Sequence, residues 1–280
     1  MNRIAVAVLS CLLCLGVTHA WAQSPAPARL SAADEKGWTA YLGFQGSSNT
    51  FGQVMDLDSN LGYNFGPHFS LDGGVPIYFV RGTDALGNSV SNNGLGDMYA
   101  NLRLKFRNPT VNYFTTLTGY APTGDTASGL STGRAMWDWN NRFDRSFGRL
   151  TPFVEVGIGD TVPITRFYNR PYTTLGYNTQ LKGGVEYALL RYLSVGAAGY
   201  AVEPWGQQKV FSKLNKRNQL VGGADLARDN GFNTWMAASP SQFVDLELGY
   251  DRSVHYSLNT LTFGLGFNVG RLFHQQHASQ

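Results

Sequence analysis

An alternation of period two runs along almost the whole chain, and one of its two faces carries formal charges. At the C-terminal end, Leu261, Phe263, Leu265, Phe267 and Val269 alternate with Thr262, Gly264, Gly266 and Asn268. Near the start, Trp38, Ala40, Leu42 and Phe44 form the apolar set. Met98, Ala100, Leu102, Leu104 and Phe106 alternate with Asp97, Tyr99, Asn101, Arg103, Lys105 and Arg107. Trp137, Trp139 and Phe143 alternate with Arg134, Met136, Asp138, Arg142 and Asp144. The same parity separates Val154 and Val156 from Glu155, Leu181 and Val185 from Lys182 and Glu186, and Leu246 and Leu248 from Asp245 and Glu247. No window carries a helical stripe, so the chain is read as all-β, with twelve strands.

The connections alternate between short and long. Short ones are read at Gly66-Pro67-His68, Asn108-Pro109, Gly148-Arg149, Leu190-Arg191 and Ser239-Pro240-Ser241. Long ones are read near 81–93, 122–133, 159–175 and 204–231. Strands of about ten residues, with tight turns at one end and long loops at the other, are the pattern of a transmembrane barrel. A soluble sandwich would show the same alternation with shorter strands. A propeller would need four short strands per repeat where two long ones are found. In a barrel the apolar face meets lipid, and the last strand pairs with the first so that no edge is left open in hydrocarbon. Aromatics near the tight turns, among them Trp38, Phe65, Phe106, Phe147 and Phe267, suit an interfacial girdle.

The N-terminal residues fit this location. Arg3, the apolar stretch Ile4 to Val17 and the small-x-small site Ala20-Trp21-Ala22 read as a cleaved signal peptide over residues 1–22. Both cysteines, Cys11 and Cys14, fall inside it, so the mature chain holds neither disulfide nor cysteine metal site. Residues 23–36 read as a flexible N-terminal segment, 37–273 as the barrel and 274–280 as a tail, with Phe267 or Phe273 as the terminal aromatic read by the barrel-insertion machinery. Without Arg3 the formal charge is +2, no footprint for nucleic acid. The expected location is the outer membrane of a Gram-negative bacterium.

Two glycine-rich motifs carry a family resemblance. Gly94-Leu95-Gly96-Asp97 opens one strand, and Pro122-Thr123-Gly124-Asp125, with Gly129 and Gly133 beyond, lies in a long loop. Residues 92–160 resemble the outer-membrane transporter family named for the meta-pathway of phenol degradation. The resemblance implies a transporter barrel and names no substrate. Read as plain chemistry, the same glycines permit a tight strand entry and a loop turn.

The charged positions Arg103, Lys105, Arg107, Arg134, Asp138, Arg142, Glu155, Lys182, Glu186, Asp245 and Glu247 are the candidate pore lining. They either line an open lumen and select small organic anions or zwitterions, or pair and plug a narrow one. The basic run at Lys209, Lys213, Lys216 and Arg217 is either a surface contact for lipopolysaccharide phosphates or a solvated loop. No phosphate-binding loop or metal cluster is present in the sequence, so no cofactor is expected. The reading is a non-enzymatic, passive channel for small solutes, including aromatic acids. The alternatives are a lipid-modifying enzyme built around His255, with Asp251, Ser253 and Ser257 nearby, or an adhesive barrel acting through its loops.

Overall fold

A strand whose outer face meets hydrocarbon must have both edges hydrogen-bonded, and this chain satisfies that by closing its sheet. The structure is a computed structural model that describes residues 36–50, 52–83, 89–162, 172–212, 221–222, 227–241 and 243–268. The signal segment, residues 23–35, Lys213, Lys216, Arg217, Phe273 and the tail lie outside the described residues.

The strands in chain order begin with β1 (Gly37–Asn49), β2 (Gly52–Asn64), β3 (Phe69–Thr83), β4 (Ser89–Leu95) and β5 (Met98–Phe106). Then come β6 (Asn112–Ala121), β7 (Met136–Asp144), β8 (Leu150–Gly159), β9 (Tyr172–Leu175), β10 (Asn178–Leu190) and β11 (Leu193–Pro204). The last are β12 (Lys209–Ser212), β13 (Val221–Gly222), β14 (Asp229–Ser241), β15 (Val244–Ser253) and β16 (Leu258–Asn268). All pairings are antiparallel. Strand β1 pairs with β2 on one side and with β16 on the other, from Tyr41↔Asn268 to Ser48↔Leu261. β3 pairs with β5 through its first half and with β4 through its second, so β4 and β5 act as one wall strand broken at Gly96-Asp97. Counted that way, the barrel has twelve strands.

The break has a local cause. Gly96 donates to the Pro76 carbonyl at 2.8 Å. A side chain at Gly96 would overlap the Tyr78 ring.

Three expected connections differ in the structure. Residues 81–83 and 89–93 are not loop; they extend β3 and β4 to the pair Thr83↔Ser89. The turn expected at Ser239-Pro240-Ser241 is extended backbone, and the register shifts between Ala238 and Ser241 to absorb it. Inside the longest loop, β12 pairs with β13, and on its other side with β9 of the preceding long connection, as a small separate sheet.

The outer surface is apolar. Leu61, Leu248 and Leu261 are 59%, 56% and 60% exposed. Water-soluble monomers rarely present a contiguous apolar belt of this kind. At the tight-turn end the belt becomes aromatic. Trp38 stacks edge-on against Tyr63 at 5.3 Å, and Tyr63 against Phe65 at 5.0 Å. Phe106, Tyr113 and Phe143 continue the row at 6.0 and 4.9 Å. Rings at this level suit the headgroup boundary. Leu248 lies between Met236 and Phe263 on the neighbouring strands, in the middle of the belt. Leu248→Arg should cost about 2–4 kcal/mol in lipid vesicles; a urea titration showing less than about 1 kcal/mol would place this position outside hydrocarbon.

Candidate functional site

Closure turns the polar parity inward. On the wall formed by β2, β3 and β5, Asp56, Asp58, Asp72, Asp97, Arg103 and Lys105 occupy inward positions. Asp72 accepts from Asn60 at 2.6 Å and Asn101 at 2.8 Å, and Arg103 reaches the same oxygen at 3.3 Å. The Tyr99 hydroxyl lies 2.8 Å from both oxygens of Asp58.

On the wall formed by β7, β8 and β10, one guanidinium organises three carboxylates. Arg142 reaches Asp144 at 2.9 Å and both Glu155 and Glu186 at 2.8 Å. Its face covers the Phe153 ring at 4.1 Å. Lys182 lies beside the same ring at 5.9 Å and beside Trp235 at 5.6 Å. Higher on this wall, Gln180 donates to Asp138 at 2.9 Å.

The wall of β11, β14 and β15 adds only acids. Asp251 accepts from Tyr200 at 3.2 Å, Asp229 from Ser253 at 2.5 Å and Asp245 from Ser239 at 2.6 Å. Glu247 is buried between Asp245 and Asp251 on the inward face.

Nine of the eleven candidate pore residues therefore hold inward strand positions. Arg107 and Arg134 do not; both are exposed beyond the strand ends. Asn108 stops β5 by accepting from the Thr110 and Val111 amides at 2.8 Å. Arg134 follows Gly133, whose φ of 70° breaks the approach to β7. Asp56, Asp58, Asp72, Asp97, Asp144, Asp229 and Asp251 are the inward acids missing from the sequence list. Most share the alternation that found the others, so parity alone would have found them.

Large inward side chains lie flat on the wall. A Cβ on Gly196 would overlap Trp235, one on Gly266 would overlap Tyr41, and one on Gly74 would crowd the Tyr99 hydroxyl at 2.8 Å. Glycine leaves room for a ring against the strand, so the ring does not project toward the axis. Gly196→Val should push Trp235 into the lumen and lower single-channel conductance, with Trp235→Ala restoring it. An unaltered conductance in the single variant would show that the ring stays on the wall.

The long-loop mouth is narrowed by loops that turn inward. Leu130 of the 122–135 loop is buried with Val54, Tyr78 and Val80. Leu175 packs on Met136 and Tyr120, and Val162 on Tyr200 and Val202. The two glycine-rich motifs hold the first of these loops. Gly124 donates to Asp97 at 3.1 Å, and the Met98 amide donates to Thr123 at 2.8 Å. A Cβ on Gly124 would lie 2.8 Å from the Gly96 carbonyl carbon, so the two backbones touch. Asn92 also donates to the Ser128 carbonyl. Within the loop, the Ser128 hydroxyl and the Ala127 and Ser128 amides hold the Asp125 carboxyl below its ordinary range.

The grouping considered around His255 is not assembled. Ser253 donates inward to Asp229, while His255 is exposed in the following turn with its ring against Tyr256 at 4.8 Å. Among the described residues no group of His, Cys, Asp and Glu is arranged to hold a metal ion. Lys209 is exposed on β12.

No family model matches the chain, and no curated protein matches it. Solved structures do. An outer membrane channel from Pseudomonas putida F1 superimposes with a TM-score of 0.60 at 12% identity, covering 88% of this chain and 100% of that one. The KdgM porin superimposes with a TM-score of 0.51 at 9% identity, covering 81% of this chain and 98% of its own. The fold is that of an outer-membrane barrel. At these identities the likeness is one of architecture.

Proposed function

We propose that this chain is a passive outer-membrane channel for small solutes. The observation that carries the reading is a closed twelve-strand barrel whose polar interior keeps its largest rings folded against wall glycines. Barrel diameter grows with strand number, and an eight-stranded interior is just wide enough to be filled by side chains or to hold one small ligand, so twelve strands leave more room at the axis. The resemblance of residues 92–160 to the phenol meta-pathway transporters supports the same reading. Lipid at the belt, the barrel-insertion machinery and lipopolysaccharide at Lys209 and its neighbours are the further partners we propose.

The test is single-channel recording of the refolded mature protein in a planar bilayer. Discrete openings support the channel. An inserted, heat-modifiable but silent barrel rejects it in favour of a lumen plugged by its own charges.

A further inference from the structure

The interior carries many more acids than bases. Among the described residues, twelve carboxylates and four basic groups hold inward positions, a formal excess of eight negative charges. The sequence expectation of small organic anions or zwitterions took the charges as opposed basic and acidic ladders; on the closed wall the inward acids outnumber the inward bases. The two arginines among these cations are bound into the wall by carboxylates. Arg142 is held by three carboxylates, and Arg103 by Asp72. A solute passing β14 and β15 meets Asp229, Asp245, Glu247 and Asp251 with no base on either strand's inward face.

The tight-turn rim has the opposite sign. Arg107, Arg145, Arg149 and Arg191 are exposed there, and the described turns at that end contain no acid. The rim charges stand in bulk electrolyte, where fields decay within about 10 Å at 0.1 M salt. The interior charges stand in a narrow space bounded by protein and lipid, where fields are screened far less. The interior therefore sets the sign of selection.

We propose that the lumen selects small cations, protonated organic amines being the fitting class of solute. This rests on the channel reading above. Acid-lined constrictions concentrate cations and repel anions along the whole passage.

The experiment is the reversal potential of the refolded protein in a planar bilayer under a KCl gradient. It is repeated with benzylammonium and with benzoate, probes of equal size and opposite charge. The expected result is a cation-sided reversal potential, with benzylammonium permeating or blocking and benzoate doing neither. In the variant Asp56→Asn, Asp58→Asn, Glu247→Gln, Asp251→Asn, the preference for K⁺ over Cl⁻ should fall several-fold. Glu203→Gln, at an exposed position outside the lumen, should leave it in place. Heat-modifiable mobility on gels checks that each variant is folded. An anion-sided reversal potential, or selectivity unmoved by the four amides, overturns this proposal alone. Absence of any opening overturns the channel reading, and this proposal with it.

Discussion

Arg142→Ala should destabilise the barrel by about 3–5 kcal/mol, the cost of deleting one member of a buried ionic cluster. The Arg142 side chain is 5% exposed, as are those of Asp144 and Glu186, and Glu155 is 19% exposed. Alanine leaves three carboxylates facing one another at short range with their shared donor gone. It also strips the Phe153 ring of its covering cation. The comparison is Arg228→Ala. That arginine pairs with Glu203 at 3.0 Å, but the two side chains are 48% and 57% exposed. An exposed pair contributes about 0–1 kcal/mol. Same residue type and same partner chemistry should thus differ several-fold in effect, and burial is the cause. Urea titrations in lipid vesicles measure both. Combining Arg142→Met with Glu155→Gln and Glu186→Gln should recover most of the loss, because the penalty is the uncompensated charge. Equal, small losses for Arg142→Ala and Arg228→Ala would mean that the cluster is wetter than its geometry indicates.

The cluster also shows what the sequence can and cannot reveal. That Arg142, Glu155 and Glu186 share a face follows from period two, and closure follows from the need to pair both edges of an apolar strand in lipid. That the three meet at one guanidinium depends on the register of β7 against β8 and β8 against β10, set by Arg142↔Glu155 and Glu186↔Thr151. No local rule gives those registers. The weakest sequence signal is β14, and the structure explains why. Trp235 faces inward on a strand whose inward set should be small or polar, because Gly196 opposite leaves room for its ring. The acid excess was hidden in a similar way. Asp229 stands at the end of a stretch read as loop, so it was not assigned to a strand. Arg107 and Arg134 show the reverse error, since alternation carried past a strand's end counts rim residues as lining.

The second large effect concerns the loop at the mouth. Gly94 to Asp97 and Pro122 to Asp125 read separately as turn chemistry, and only the folded chain joins them, through Gly124 and Asp97. Beside the bonds from the Met98 amide to Thr123 and from Asn92 to the Ser128 carbonyl, two further contributions hold the loop in. Burying Leu130 contributes about 1.5–3 kcal/mol, and the bond to the Asp97 carboxylate about 1.5–3 kcal/mol. The entropy of ordering the loop offsets part of both. Since each 1.4 kcal/mol is a factor of about ten, the pair holds the loop shut in all but a small fraction of molecules. Removing either should leave a loop that opens part of the time. Asp97→Ala and Leu130→Asp should each add brief, larger openings to the single-channel record, one by deleting the acceptor and the other by placing a charge among Val54, Tyr78 and Val80. The double variant should remain in the larger state. Asp97→Asn, which keeps an acceptor for the Gly124 amide, should stay close to the parent. If the double variant conducts like the parent while retaining its heat-modifiable shift, the loop lies clear of the solute path and the constriction belongs to the wall.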